Sequence, residues 1–146
     1  MSVDKAEFLP APPGRHKARE LSLWALYQSD ISGDPVGRAV GQLTEESGGS
    51  KVDLEYFKKI AAGVWSRLAE LDQLISRSAD NWSVERIAAI DRNILRQAVF
   101  ELLTEPDLDV RVIINEAVIL SKRYGDKKSA SFVNGVLDRL AREVRP

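Results

Sequence analysis

The stretch "VDLEYFKKIAAGVWSRLAELDQLISRSA", residues 52–79, decides the fold class. Phe57, Ile60, Val64, Leu68, Leu71 and Ile75 advance by three or four residues throughout, the period of one apolar face of an α-helix. The pattern predicts a helix across the whole stretch. Gly63 interrupts its apolar face at a cost of about 1 kcal/mol relative to alanine, so it is read as a point where another helix approaches closely.

Toward the N-terminus, "EESGGS" at 45–50 reads as a flexible connector. Before it, Gly33 is a stop, and Asp34-Pro35 reads as an N-cap followed by proline at the first helical position, opening a short helix to about Thr44. A longer helix runs from Arg15 to Asp30, with Ala18, Leu21 and Ala25 on one face and Leu23, Trp24, Leu26 and Tyr27 broadening it. Residues 1–14, rich in proline and without periodicity, read as a tail, which leaves 15–146 as the folded domain.

Toward the C-terminus, Asn81-Trp82 reads as a turn with the indole packed inward. Ser83 is placed to cap a helix whose stripe is Ile87, Ile90, Ile94, Leu95, Ala98, Val99 and Leu102, and Pro106 ends it. The next helix runs from Asp109 to Tyr124, with Gly125 expected in the left-handed conformation at its end. Its β-branched start, "VRVII", keeps a strand open as a local alternative. A last helix follows Ser129, with Phe132, Val133, Val136, Leu137 and Leu140 inward. Gly135 reads as a second close approach, and Asn115 and Asn134 as buried hydrogen-bonding residues. No repeat and no sustained period-two alternation is present, so the fold class is all-α, with six or seven helices.

Composition excludes whole classes of chemistry. The 146 residues suffice to bury roughly 70% of the unfolded chain's surface. There is no cysteine, which removes disulfides, thiolate metal sites and cysteine nucleophiles. His16 is the single histidine, so no histidine triad or metal cluster can form, and no glycine-rich loop carries the lysine of a phosphate cradle. The reading is a non-enzyme with no cofactor, no metal and no catalytic residue. No apolar run approaches the roughly 18 residues of a membrane helix and no signal peptide precedes the domain, so a cytoplasmic setting without membrane contact is expected.

Net charge is −1, from 21 basic and 22 acidic residues, so any nucleic-acid surface must be local. Two basic clusters stand out. Arg15, Lys17 and Arg19 occupy a helix start, where cations are mildly disfavoured. Lys122, Arg123, Lys127 and Lys128 surround the loop before the last helix. Arg15 and Arg19, four apart, share a face and are the favoured pair, with Lys17 on another face. If the clusters meet, they form an anion-binding patch, with Tyr27, Trp24 and Phe132 as candidate stacking aromatics for single-stranded nucleic acid. Glu101, Glu105, Asp107 and Asp109 form an acidic stretch that suits a basic protein partner.

The segments "RHKARELSLWALYQ", "YFKKIAAGV", "DRNILRQAVFEL", "VIINEAVILSKRYG" and "SASFVNGVLDRL" occur in this order from about Arg15 to Leu140. In them the chain resembles the transcription antitermination factor NusB family. The resemblance implies two small helical bundles packed together and no catalytic activity. It also implies binding of boxA, a short single-stranded element of nascent ribosomal RNA, as a heterodimer with the ribosomal protein NusE. That assembly acts with NusA and NusG on RNA polymerase and suppresses premature termination.

The family's arginine-rich motif falls on Arg15, His16, Lys17 and Arg19. His16 stands where a second arginine is frequent and contributes less charge near neutral pH. Lys127 and Lys128 lie in a loop that varies in the family, so their assignment rests on charge alone. Two alternatives are weighed beside this reading. One is the NusB-like module of an rRNA methyltransferase, disfavoured because no methyl-donor-binding domain follows before Pro146; the other is a helical adaptor without an RNA role.

Overall fold

A computed structural model describes residues 14–47 and 51–146. The expected tail, apart from Gly14, and positions 48–50 of the expected connector lie outside these residues, while the connector's first two residues, Glu45 and Glu46, are helical. Among the described residues seven α-helices follow one another: α1 Arg15–Ser32, α2 Val36–Glu46, α3 Leu54–Ser66, α4 Leu68–Ser78, α5 Ala89–Thr104, α6 Val110–Tyr124 and α7 Ser129–Val144. A 3₁₀ turn, Val84–Arg86, precedes α5, and no strand occurs among the described residues. The β-branched "VRVII" start is therefore helical. Asp109 caps it, its side chain accepting the Arg111 N–H at 2.8 Å.

Helices α1, α2 and α3 pack on one another, and α4, α6 and α7 gather round α5. Both α1 and α3 also lie against α5, so this helix stands between the two bundles. Its residues Asn93–Leu102 are all buried, including Asn93, Arg96, Gln97 and Glu101. Leu23, Leu26, Phe57, Leu95, Leu120 and Leu137 are among the fully buried side chains that fill the core.

The 52–79 pattern folds as two helices rather than one. The break falls at Arg67 (φ −125°, ψ 24°), and the Ser66 hydroxyl donates to the Gly63 carbonyl at 3.0 Å. Such a side-chain bond competes with the helical ladder. A one-residue break barely shifts the period, which is why Leu68, Leu71 and Ile75 still read as a continuation.

Gly63 behaves as expected: a Cβ there would lie 2.1 Å from Cζ of Phe100. Gly135 does not, since nothing stands within 4 Å of its Cβ direction. Gly125 is not left-handed (φ −91°, ψ −171°); it is required instead because a Cβ would lie 2.4 Å from the Ser129 hydroxyl. Gly33 is left-handed and closes α1 through its N–H to Ser29 O. Pro35 occupies the cap position of α2 itself without a side-chain capping bond, and the Asp34 carboxylate instead lies 4.0 Å from Arg38.

Four further expectations are corrected. Ser83 makes no capping bond, and α5 starts only at Ala89, after the 3₁₀ turn. The Asn81-Trp82 turn exists, with Asp80 and Asn81 at positive φ (55° and 62°), but it swings the indole outward to 49% exposure. Arg86 lies over the ring, 5.1 Å from its centroid, while Ala79 and Val84 fill the core in its place. Asn115 and Asn134 are both exposed: Asn115 sits opposite the Ile113–Ala117–Leu120 stripe, and Asn134 one step off the stripe of Val133.

Candidate nucleic-acid interface

Helix α1 begins with a basic first turn, no acidic residue in it and no side-chain cap. Its four residues from Arg15 diverge in direction, as a helix dictates. Arg15 lies toward α3, 22% exposed, with its guanidinium 3.9 Å from the Tyr56 ring centroid and its Nε 3.5 Å from Asp53. Arg19, one turn on, is 1% exposed. Its Nη2 and Nε donate to Glu101 at 2.8 and 3.0 Å, and Nη1 donates to Glu116 at 3.0 Å. The Tyr56 hydroxyl completes the group by donating to Glu101.

Burial pulls the Arg19 pKa down, but the Glu101 bond and charge more than offset it and hold the guanidinium charged. Burial and the Glu101 charge push the Tyr56 phenol up, so it stays a neutral donor.

This corrects the ranking read from spacing. Arg15 and Arg19 do share a face, but it is the inward one, and Arg19 has no access to a ligand. The open side chains of the motif are His16 and Lys17, 48% and 51% exposed. His16 Nδ1 lies 3.3 Å from Glu116 Oε1. Lys17 reaches Glu20 at 3.4 Å, and Arg123 at the end of α6 reaches the same carboxylate at 2.8 Å. The two basic clusters therefore meet, and they meet on Glu20. Burial raises the Glu20 pKa, but the Tyr124 hydroxyl bond with Lys17 and Arg123 holds the carboxyl below its usual range.

Beside this ridge runs an open groove of about 410 Å³, walled by Tyr27, Ala88–Asp91, Tyr124, Gly125, Asp126 and Ser129. Trp24, half-buried, packs edge-on against both Tyr27 (5.9 Å) and Tyr124 (5.1 Å) and fixes the two phenols. Lys127 and Lys128 are exposed on the loop that forms one wall. Phe132 is half-buried and packs on the core outside the groove's walls. Asp91 is 8% exposed, and its Oδ1 has no hydrogen-bond partner. Burial pushes its pKa up, only partly offset by Ser129, and Asp126 adds to the rise.

The acidic stretch does not form one surface. Glu101 is buried under Arg19, Glu105 pairs with Lys59, and Asp109 is engaged as the α6 cap with Arg111. Asp107 alone of the four is exposed without a role in these contacts. Sequence reasoning missed the burial of Glu101, Glu20 and Asp91. The available signal was position: Glu101 interrupts the apolar "AVFELL", and Glu20 directly precedes "LSLWAL".

Among the described residues no group of three or more His, Asp or Glu is placed to hold a metal ion, and no helix is long and apolar enough to cross a membrane.

The sequence model of the NusB family matches residues 16–142. The transcription antitermination protein NusB of Myxococcus xanthus (strain DK1622) is 41% identical over 131 residues, covering 87% of this chain and 94% of the relative. That of Bacillus subtilis (strain 168) is 40% identical over 130 residues, covering 89% and 96%. Among solved structures, T. maritima NusB superposes with a TM-score of 0.83 at 34% identity, covering 94% of this chain and 96% of that one. A chain from a crystal structure of the antitermination factors NusB and NusE in complex with dsRNA gives 0.80 at 30% identity, covering 88% and 96%. With the matched segment running from the basic turn of α1 into the last turns of α7, this chain belongs to the NusB family.

Proposed function

We propose that this chain is a non-catalytic RNA-binding transcription antitermination factor. It binds boxA of nascent ribosomal RNA together with the ribosomal protein NusE, and with NusA and NusG on RNA polymerase it suppresses premature termination. The observation that carries the reading is the exposed cationic ridge joining the start of α1 to the end of α6, beside a tyrosine-walled groove. The similarity to a NusB chain solved with NusE and dsRNA supports it.

Lys17, His16, Lys127 and Lys128 face solvent and contact phosphates, and Tyr27 offers a ring to a base. Arg15 contributes from the rim, Phe132 shapes the loop that carries the lysines, and Arg19 acts by holding α1 in place. Residues 15–146 work as one domain, in the cytoplasm where RNA is made. The uncapped N–H groups of α1 favour an anion there, and phosphate meets that preference where the local cations do not.

Titration of labelled boxA RNA, with and without the ribosomal partner, tests this reading. With about three to five phosphates engaged, log affinity should fall against log salt with a slope of roughly −2 to −3.5. Lys17→Ala/Lys127→Ala/Lys128→Ala is expected to flatten the slope by about 2. Equal binding of scrambled RNA in the presence of the partner, or a salt response unchanged by the triple substitution, would refute it.

A further inference from the structure

Glu20 is 3% exposed, yet it lies directly under two half-exposed cations that come from different helices. Lys17 Nζ of α1 is 3.4 Å from Oε1, and Arg123 Nη1 of α6 is 2.8 Å from Oε2. The Tyr124 hydroxyl donates to Oε2 at 2.6 Å and locks the carboxylate from below. A single acid held by two cations leaves a net positive charge on the outer side. Each cation is ion-paired with Glu20 and keeps further N–H donors for a ligand.

Resting on the RNA-binding reading above, we propose that Lys17 and Arg123, fixed on the buried carboxylate of Glu20, form a two-cation clamp for one backbone phosphate of single-stranded RNA. Glu20 is its positioning residue. The ordering of two long side chains is then met on folding rather than on binding, which is how preorganisation raises affinity. An arginine fork beside a lysine point charge suits a phosphate oxygen pair, and the half-exposure of both leaves room for it. Arg123 lies outside the N-terminal motif and joins it only through the fold.

Net charge and positioning make opposite claims about Glu20→Gln. The substitution adds one positive charge to the ridge, so a general electrostatic surface would bind RNA more tightly. The clamp requires the reverse, because glutamine keeps an acceptor for Tyr124 but releases the cations. Binding of labelled boxA RNA across a salt series is to be compared for wild type, Glu20→Gln, Lys17→Ala, Arg123→Ala and the Lys17→Ala/Arg123→Ala pair, with circular dichroism confirming the fold.

Glu20→Gln is expected to weaken binding about threefold or more despite its added charge. The double variant should lose about 0.7 in slope, like either single one, because both cations serve one phosphate. Tighter or unchanged binding by Glu20→Gln, or a slope loss near 1.4 in the double variant, overturns the clamp. If Glu20→Gln fails to fold, the slopes of the half-exposed Lys17 and Arg123 variants decide. Absence of RNA binding by the wild type at low salt removes the RNA reading itself and the clamp with it.

Discussion

At the scale of single residues, burial rather than residue type separates the charges that bind from the charges that hold. Arg19 and Lys17 are two positions apart, yet one is sealed on Glu101 and the other is half in water. Periodicity could place Arg15 with Arg19, but the direction of their face depends on Glu101, 82 residues away in sequence. Asp91 shows the same effect with the opposite sign. Its carboxyl is buried with one oxygen unpaired, and its pKa is raised, so folding shifts its balance toward the protonated form. Ionisation at neutral pH therefore costs stability that is regained as pH falls through the raised pKa. Asp91→Asn is expected to stabilise the protein by about 1 kcal/mol at pH 7, with the gain shrinking in acid. Thermal melts at pH 7 and pH 4 check this, and a gain that grows in acid would contradict it.

At the scale of elements, the apolar period found the helices, and their contacts determined details that the period does not encode. The break at Arg67 was illegible because a one-residue interruption leaves the apolar stripe nearly in register. The outward Trp82 was illegible because its direction is set by two left-handed residues before it. Gly63 was legible because a glycine inside a strong apolar stripe weakens its helix, and the close approach of a neighbouring helix offsets that loss. The Phe100 ring occupies the space its Cβ would need, so the aromatic side chain from α5 packs directly against the α3 backbone at that point. Gly63→Ala is expected to destabilise by about 1–3 kcal/mol through overpacking, and adding Phe100→Leu should recover part of the loss. Denaturant titration of the single and double variants measures the coupling. Additive losses would show that the two residues do not share this contact.

At the scale of the whole molecule, the two-bundle architecture, implied by family resemblance, fits a neutral protein whose local charges link its parts. Arg19 of α1 reaches Glu101 of α5, and at the far end of α1 Asp30 receives Arg92 at 2.6 Å and Asn93 at 2.8 Å, both from α5. Arg96, 3.3 Å from the same Asp30, also donates to Asp72 of α4 at 2.8 and 2.9 Å. Helix α1 is thereby pinned at both ends to the second bundle. That pinning keeps Lys17 beside Arg123 and Tyr27 beside the α6–α7 loop, so the proposed RNA surface exists only while the bundles stay docked. Burial raises the Asp30 pKa, but the Arg92 and Asn93 bonds and the Arg96 charge outweigh it and hold the carboxyl below its usual range. Its contribution is thus present above the unfolded carboxylate range, near pH 4, and is lost as pH falls through the depressed folded value. Asp30→Asn is expected to cost about 1.5–3 kcal/mol at pH 7, and the difference from wild type should vanish in more acidic solution. Tryptophan fluorescence and far-ultraviolet circular dichroism should give coincident unfolding midpoints in the wild type, as one cooperative unit requires. Separated midpoints in the wild type, or a loss in Asp30→Asn that persists unchanged at pH 2.5, would mean that the bundles are not coupled through this carboxylate.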